Sequence, residues 1–203
     1  MTPSLVAVVL AGGEGRRMGG AKPLRRFAGT TLVGHALKLA RFYGRDVAVA
    51  VRDPVQVAGA VDAPLILDDP AIEGPLAGLA AALRFGRRKG VARVLTLPCD
   101  SPRLPLDLAA RLHAALGDRE GVAVAESDGH LHPVCALWRV DAALDALPAY
   151  LASGRRSLKG FAGAVGMTLA SWPAAGMDPF ANANTPAELD ALQLDRGLPV
   201  AAK

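Results

Sequence analysis

The sequence predicts an α/β fold with three layers, in which a mostly parallel, Rossmann-like sheet carries helices on both faces. Short apolar runs rich in valine alternate with helically periodic segments in the order β-α-β-β-α-β, which is typical of this class. The runs are apolar at nearly every position, as expected of strands covered on both sides. No linker, repeat or change of composition divides the 203 residues. We therefore expect residues 1–203 to form a single domain.

Each element follows from a local pattern. Strands are predicted at 5–10, 46–51, 65–67, 91–97, 121–125, 133–138 and 165–171, and helices at 31–44, 75–90, 106–116 and 141–152. The first helix stops at Gly44, and the second has Pro75 in its first turn and cations in its last. A final helix is predicted to start at Pro186, with Thr185 as N-cap and Glu188 three residues after the cap.

The composition narrows the class of function. The formal charge of +4, from 23 Lys and Arg against 19 Asp and Glu, suits an anionic small-molecule substrate. Aromatic residues make up only 4%, which argues against a surface that stacks nucleic-acid bases. No apolar stretch approaches the roughly 20 residues of a membrane helix, and the N-terminus does not resemble a signal peptide. Cys99 and Cys135 are expected to be buried free thiols of a cytoplasmic protein.

The segment LAGGEGRRMGGAKPL, residues 10–24, follows the first predicted strand, where open α/β sheets bind ligands. The dinucleotide pattern G-x-G-x-x-G fails because Met18 replaces its third glycine. The Walker pattern fails because Pro23, and not a hydroxyl residue, follows Lys22. What remains is a set of backbone amides at Gly12, Gly13 and Gly15, followed by Arg16, Arg17 and Lys22. Such a set can cradle phosphate, and the alternative is a tight turn with solvated cations.

In the form L-A-G-G-x-x-x-R-M-G-x-x-K, this loop resembles the signature of the sugar-nucleotide and cofactor nucleotidyltransferases. Five further segments follow in order: EGPLAGL at 73–79, LPCDSPRLP at 97–105, HPVCALW at 132–138, GRRSL at 154–158 and FANANTPAEL at 180–189. Together they resemble the molybdenum cofactor guanylyltransferase family over essentially the whole chain. The resemblance implies a Rossmann-like nucleotidyltransferase fold.

Two acidic positions follow predicted strands. Asp100 comes after the strand at 91–97, where a carboxylate near a triphosphate is a suitable ligand for Mg²⁺, or caps the turn that continues into Ser101. Asp68 follows the strand at 65–67, and its carboxylate can accept from N1–H and the 2-amino group of guanine. A turn aspartate is the alternative there, and Asp69 is interpreted as a solvated neighbour. The resemblance implies that Asp100 binds the metal and that Asp68 contacts the base.

The resemblance also implies the remaining roles. The expected nucleotide-binding residues are Leu10, Ala11, Gly12, Gly13, Lys22, Asp68 and Asp100, and the expected catalytic residues are Lys22, Asp100 and Arg16. Candidates for holding phosphate or a second substrate are Gly74, Pro75, Arg155, Arg156, Asn182 and Asn184. The arginine pair can equally be solvated, and Asn184 can equally start the last helix. His132 is interpreted either as a ligand or as a satisfied structural histidine.

The implied reaction is transfer of GMP from GTP to the molybdopterin cofactor, with release of pyrophosphate. An ionised phosphate on the acceptor attacks the α-phosphorus and needs no general base, so positioning and charge neutralisation by Lys22, the loop arginines and Mg²⁺ carry catalysis. Molybdoenzymes or their chaperones are the expected recipients. A cytidylyltransferase, another small nucleotidyltransferase on a phosphorylated acceptor, and a non-catalytic nucleotide-binding domain are the alternatives.

Two positions depart from the family's pattern. The family commonly carries Asp before the loop lysine, where this chain has Ala21, and commonly ends its second main strand with an Asn, where this chain has Ala50 and Val51. The first departure removes an acidic group near the phosphates. The second bears on recognition of the base or the ribose, and therefore on the choice of GTP.

Overall fold

The computed structural model describes residues 5–13, 20–173, 176 and 178–194. The described residues form a seven-stranded sheet in the order β5-β4-β1-β6-β8-β7-β9 and a small β2–β3 hairpin. The strands are β1 Leu5–Leu10, β2 Arg26–Phe27, β3 Thr30–Thr31, β4 Asp46–Val51, β5 Leu65–Leu67, β6 Arg93–Pro98, β7 Val122–Ser127, β8 His130–Arg139 and β9 Met167–Trp172. Within the large sheet only β8 is antiparallel to its neighbours. The prediction of a mostly parallel sheet is confirmed.

Helices cover both faces of the large sheet. They are α1 Leu32–Tyr43, α2 Leu76–Arg88, α3 Leu108–Ala115, α4 Val140–Ala152, α5 Leu158–Val165 and α6 Pro186–Leu194. One buried cluster joins Val6 and Val8 of β1 to α2, α4 and α5, and the opposite cluster joins Ala7 and Val9 to α1 and α3. The alternation of side chains along a strand therefore divides β1 between two cores, which explains its continuous apolar run.

The predicted elements are confirmed with small changes at their ends. The predicted N-cap of α6 forms a reciprocal pair, in which Thr185 Oγ1 accepts from Glu188 N at 3.2 Å and the Glu188 carboxylate accepts from Thr185 N at 3.2 Å. The sequence interpretation missed α5 and the β2–β3 hairpin. The helix α5 has eight residues and contains Gly160 and Gly163, so its helical period is short and interrupted.

The topology places several chain turns at one edge of the sheet. Strands β1, β4, β5 and β6 are parallel, so the segments after Leu10, Val51, Leu67 and Pro98 emerge together at the carboxyl edge. Antiparallel β8 ends at the opposite edge, where Arg139 pairs with Arg93. Helix α4 then runs back over 13 residues, about 20 Å, toward the carboxyl edge. Any site built from these turns therefore draws on distant parts of the sequence.

Among the described residues, no helix has both the length and the apolar character that crossing a membrane requires.

A buried hydrogen bond between Trp138 and Thr96 links two neighbouring strands at the centre of the sheet. The Trp138 Nε1–H donates to Thr96 Oγ1 at 3.1 Å, and both residues are buried. We expect Thr96→Val to lower the free energy of unfolding by about 1–3 kcal/mol, because the indole N–H then loses its partner without access to water. Chemical denaturation measures this, with Thr96→Ser as the matched control that keeps the hydroxyl. Equal stability of the Val and Ser variants would show that the bond contributes nothing.

Candidate active site

A cavity of about 710 Å³ opens at the carboxyl edge of the sheet. It is lined by Leu10, Ala11, Gly12, Gly13, Lys22, Pro23, Arg52, Asp68, Gly74, Pro75, Gly78, Pro98, Cys99, Asp100, Val134 and Asn184. Most of the site residues predicted from the sequence are therefore brought together. Asn182, Arg155 and Arg156 are not part of the described lining, and Gly15, Arg16 and Arg17 lie outside the described residues.

Lys22 joins three segments on one side of the cavity. Its Nζ donates to Asp100 Oδ2 at 2.5 Å and to Asn184 Oδ1 at 2.9 Å. The peptide N–H of Ala183 donates to Asp100 O at 2.8 Å, which holds the chain before α6 against the turn after β6. The side chains of Lys22 and Asp100 are only 12% and 19% exposed, so this pair is less screened by water than a surface ion pair.

The backbone before Lys22 is left-handed. Ala21 has φ of 47° and ψ of 32°, and it precedes a 3-10 turn formed by Lys22–Leu24. The Ala21 side chain cannot cap this turn, because alanine has no oxygen to accept the amide hydrogens. Asp and Asn adopt the left-handed conformation more readily than Ala and also cap helical turns. An acid at this position therefore has a local structural use, apart from any action on phosphate.

Asp68 occupies a space that two glycines leave open. A Cβ on Gly12 would lie 2.0 Å from Asp68 Oδ2, and a Cβ on Gly78 would lie 3.2 Å from Oδ1. The carboxyl group therefore packs between the end of β1 and the first turn of α2. Oδ1 is buried and has no hydrogen-bond partner among the described residues. An acceptor of this kind is costly unless a ligand supplies a donor.

Burial also changes the acidity of this group. It raises the pKa of the Asp68 carboxyl above its usual range, and the positive charge of Arg52 opposes part of that shift. Arg52 is the first residue after β4 and lines the cavity beside Asp68. Sequence reasoning missed Arg52, although it follows a predicted strand in the same way as the glycine loop follows β1. It also missed Gly78, whose use depends on the position of the Asp68 side chain.

The interpretation of Asp69 as a solvated neighbour is wrong. Its carboxylate forms an ion pair with Arg84 of α2 and accepts from Ala71 N at 2.9 Å. The guanidinium of Arg84 lowers the pKa of Asp69 below its usual range. The two adjacent aspartates therefore have different environments: Asp69 is bound within the fold, whereas Asp68 has an oxygen without a partner among the described residues.

The chain before α6 contacts the turn after β6 and a histidine of β8. Ser101 Oγ donates to Asn182 Oδ1 at 2.5 Å, so the Asn182 side chain is bound to the turn after Asp100. His132 Nε2 lies 2.7 Å from Ser127 Oγ, and the His132 ring stacks on Phe180 with a centroid separation of 4.5 Å. Burial lowers the pKa of His132. Of the two interpretations of His132, the structure matches a satisfied structural histidine.

The two predicted basic residues lie in the turn between α4 and α5. The guanidinium of Arg155 stacks 5.1 Å from the ring centroid of Tyr150, and Arg156 donates to Leu151 O at 2.9 Å. Both residues are exposed. Because α4 runs toward the carboxyl edge, the turn that follows it lies at the edge of the sheet where the cavity opens.

The two cysteines are free and buried, as predicted. Cys99 lines the cavity next to Asp100, but burial raises the pKa of its thiol to about 12. Burial also raises the pKa of Cys135. Both thiols therefore stay protonated at neutral pH and are poor nucleophiles.

Gly12 and Gly13 after β1 line one cavity together with Lys22 and Asp100, an arrangement suited to a nucleoside triphosphate. Consistent with this, residues 7–165 match the family model described as a MobA-like NTP transferase domain, so the protein is a nucleotidyltransferase. Proteins named molybdenum cofactor guanylyltransferase are 41% identical in Rhodopseudomonas palustris strain HaA2, covering 92% of this chain and 90% of the relative, and 42% identical in Acidiphilium cryptum, covering 95% of each. The chain belongs to the molybdenum cofactor guanylyltransferase family.

A solved structure agrees on the fold. Molybdopterin-guanine dinucleotide biosynthesis protein A from Archaeoglobus fulgidus superposes with a TM-score of 0.71 at 22% identity, over 93% of this chain and 97% of that one. The predicted fold class, family and enzyme class are confirmed.

The left-handed Ala21 gives a prediction about stability. We expect Ala21→Asn to raise the free energy of unfolding by about 0.5–1 kcal/mol, because Asn tolerates this conformation and can cap the following turn. Chemical denaturation measures the change. The matched control is Ala110→Asn on the exposed face of α3, which should lower stability slightly through helix propensity. A destabilised Ala21→Asn variant would contradict the structural role assigned to this position.

Proposed function

We propose that this protein transfers GMP from GTP to the molybdopterin cofactor and releases pyrophosphate. The observation that carries the proposal is that two different groups line one cavity. Lys22, Asp100 and Asn184 meet in one group, here called the phosphate end. The carboxyl group of Asp68, whose Oδ1 has no partner among the described residues, packs against Gly12 and is here called the base end. The volume of about 710 Å³ lies within the usual range for a small-molecule site.

The phosphate end supports binding of a triphosphate. Gly12 and Gly13 line the cavity immediately after β1, where backbone amides can donate to phosphate oxygens. The backbone that leads into these glycines is held in place, because Leu10 pairs with Ala50 and Ala11 N donates to Ala50 O at 2.8 Å. Lys22 supplies a positive charge on a flexible stem that can turn from Asp100 to a phosphate oxygen. Arg16 is proposed as a further phosphate ligand.

The side chains available as metal ligands fit Mg²⁺ better than a metal that requires three or more protein ligands. Among the described residues, no three His, Cys, Asp or Glu side chains form a group able to hold a metal ion. Mg²⁺ commonly uses one or two carboxylates together with substrate phosphates and water. We propose that Asp100 would hold the ion, with the amide oxygen of Asn184 nearby. When bound, Mg²⁺ would offset the negative charge of the triphosphate.

The base end supports guanine over the other bases. Guanine presents N1–H and a 2-amino group side by side, and the ionised Asp68 carboxylate can accept from both. Cytosine and adenine do not present this pair of donors. The Ala50 departure does not remove this recognition, because Ala50 is buried in the core and Asp68 comes from the neighbouring strand.

Catalysis in this proposal depends on positioning. The phosphate of the acceptor is already ionised, so it can attack the α-phosphorus without a general base, and Lys22 stabilises charge on the phosphates. Gly74 and Pro75 at the cavity wall are proposed to orient the molybdopterin cofactor, together with Arg155, Arg156 and Asn182, which lie outside the described lining. Residues 1–203 act as one domain, a proposal that the seven-stranded sheet supports. Two free thiols support a reducing, cytoplasmic location, and molybdoenzymes or their chaperones are the proposed recipients.

A nucleotide panel tests the proposal. The protein is incubated with Mg²⁺, molybdenum-loaded pterin and GTP, CTP or ATP, and the dinucleotide product and pyrophosphate are measured. We expect product mainly with GTP. We also expect Asp100→Asn to lower turnover by about 100-fold or more through loss of the metal ligand, whereas Asp118→Asn, a change at an exposed surface, keeps turnover. Preference for CTP would indicate a cytidylyltransferase. Absence of turnover with every nucleotide would indicate a non-catalytic binding domain.

The raised pKa of Asp68 gives a separate prediction. Only the ionised carboxylate accepts from both guanine donors, so the preference for GTP over CTP should fall as the pH is lowered through the pKa of Asp68. That fall should occur at a higher pH than for an ordinary aspartate. Asp68→Asn should reduce the preference by about tenfold or more and remove its pH dependence.

Equilibrium binding at several pH values measures the preference, and the ratio of the two affinities cancels titration of the shared triphosphate. Asp69→Asn is the adjacent control. It should lower stability by breaking the contact with Arg84 but leave the nucleotide preference unchanged. An unchanged preference in Asp68→Asn would contradict base recognition by this carboxylate.

A further inference from the structure

Arg52 and Asp68 emerge from neighbouring strands at the same height. Val51 of β4 pairs with Leu67 of β5, and Asp68 N donates to Val51 O at 2.8 Å, so the residues after this pair lie side by side. Both line the cavity. The positive charge of Arg52 opposes part of the rise in the pKa of the Asp68 carboxyl, which agrees with the neighbouring positions of the two residues at the ends of β4 and β5.

The backbone of Arg52 is held in place by its neighbours. Gln56 Oε1 accepts from Arg52 N at 2.9 Å and from Asp53 N at 3.1 Å. The Asp53 carboxylate caps the 3-10 turn Pro54–Val57, accepting from Val55 N at 2.9 Å. The Arg52 side chain therefore starts from an ordered point at the cavity wall.

We propose that Arg52 is a specificity-determining residue that binds O6 and N7 of the guanine whose N1–H and 2-amino group Asp68 binds. This inference rests on the proposed guanylyl transfer and adds a second recognition element to it. A guanidinium presents parallel N–H donors, and O6 and N7 of guanine are two adjacent acceptors that Arg commonly binds together. The acceptors and the donors lie on adjacent edges of the base, which matches a cation and an anion side by side.

The proposal also accounts for how this chain can select GTP without the family's strand-end Asn. The side chain of Ala50 has no hydrogen-bonding group and is buried, so a polar side-chain contact from the end of β4 has to come from a later residue. Arg52 is such a residue. Adenine carries an amino group at the position of O6, so the same fork discriminates against ATP.

The test uses GTP and 7-deaza-GTP, which lacks only the N7 acceptor. Dissociation constants are measured by calorimetry on the full chain with Mg²⁺ and without acceptor. We expect the wild type to bind 7-deaza-GTP about tenfold more weakly than GTP, and Arg52→Met to bind the two nucleotides equally. Arg45→Met, at the exposed residue before β4, removes the same charge and should keep the tenfold ratio. Each ratio is taken on one protein, so partial unfolding of a variant cancels.

ITP, which lacks the 2-amino group, separates the two recognition elements. Its loss of affinity relative to GTP should persist in Arg52→Met and disappear in Asp68→Asn. If Arg52 instead binds phosphate, Arg52→Met will weaken GTP, 7-deaza-GTP and CTP by the same factor, which overturns the proposal. Equal binding of GTP and 7-deaza-GTP by the wild type also overturns it, while a kept preference for GTP over CTP leaves the proposed function intact. Preference for CTP in the wild type overturns both.

Discussion

The contact of Lys22 with Asp100 and Asn184 holds the candidate site together. These residues are separated by 78 and 162 positions in the sequence, and no secondary structure joins them directly. The parallel sheet brings the turn of Asp100 and the glycine loop to one edge, but the chain before α6 arrives from a different direction. One ammonium group that donates to both oxygens fixes the three segments in a single arrangement. The same ammonium is the charge that a triphosphate would meet, so a structural and a functional demand fall on one atom.

The base end of the cavity has the opposite energetic character. The Asp68 carboxyl is partly removed from water, and its Oδ1 lacks a partner among the described residues, which opposes folding. Gly12 and Gly78 allow this arrangement, because any side chain at either position would crowd the carboxyl group. Asp69 shows that the chain can satisfy an aspartate here, since Arg84 binds one of its oxygens and Ala71 N donates to the other. Among the described residues the unpaired acceptor is thus a local feature of Asp68, and the proposed guanine would supply a donor to it.

Much of the fold could be predicted from the sequence because its signals are local. Apolar runs identify the strands of a parallel sheet, and caps such as Thr185 and Glu188 identify helix ends through contacts three residues apart. The position of Asp100 and Asp68 at strand ends was also visible. The side-chain partners could not be predicted from the sequence. Arg84 contacts Asp69 from a helix, 15 residues further along the chain, and Ser127 contacts His132 because β7 and β8 pair. Side-chain contacts across elements depend on register and helix orientation, which no short pattern contains.

The two departures from the family's pattern acquire different meanings in the structure. Ala21 lies in a left-handed turn, where an acid could act on its own backbone, so this departure bears on local stability as well as on the charge near the phosphates. Ala50 lies inside the sheet, facing the α2 side of the core, where a polar group would have to reach the cavity from a buried position. Arg52 reaches the same cavity from two residues further along, after the strand has ended. In the proposed recognition of guanine, the polar contact from β4 is therefore moved along the chain and not removed, because Arg52 leaves the same strand end and lines the same cavity.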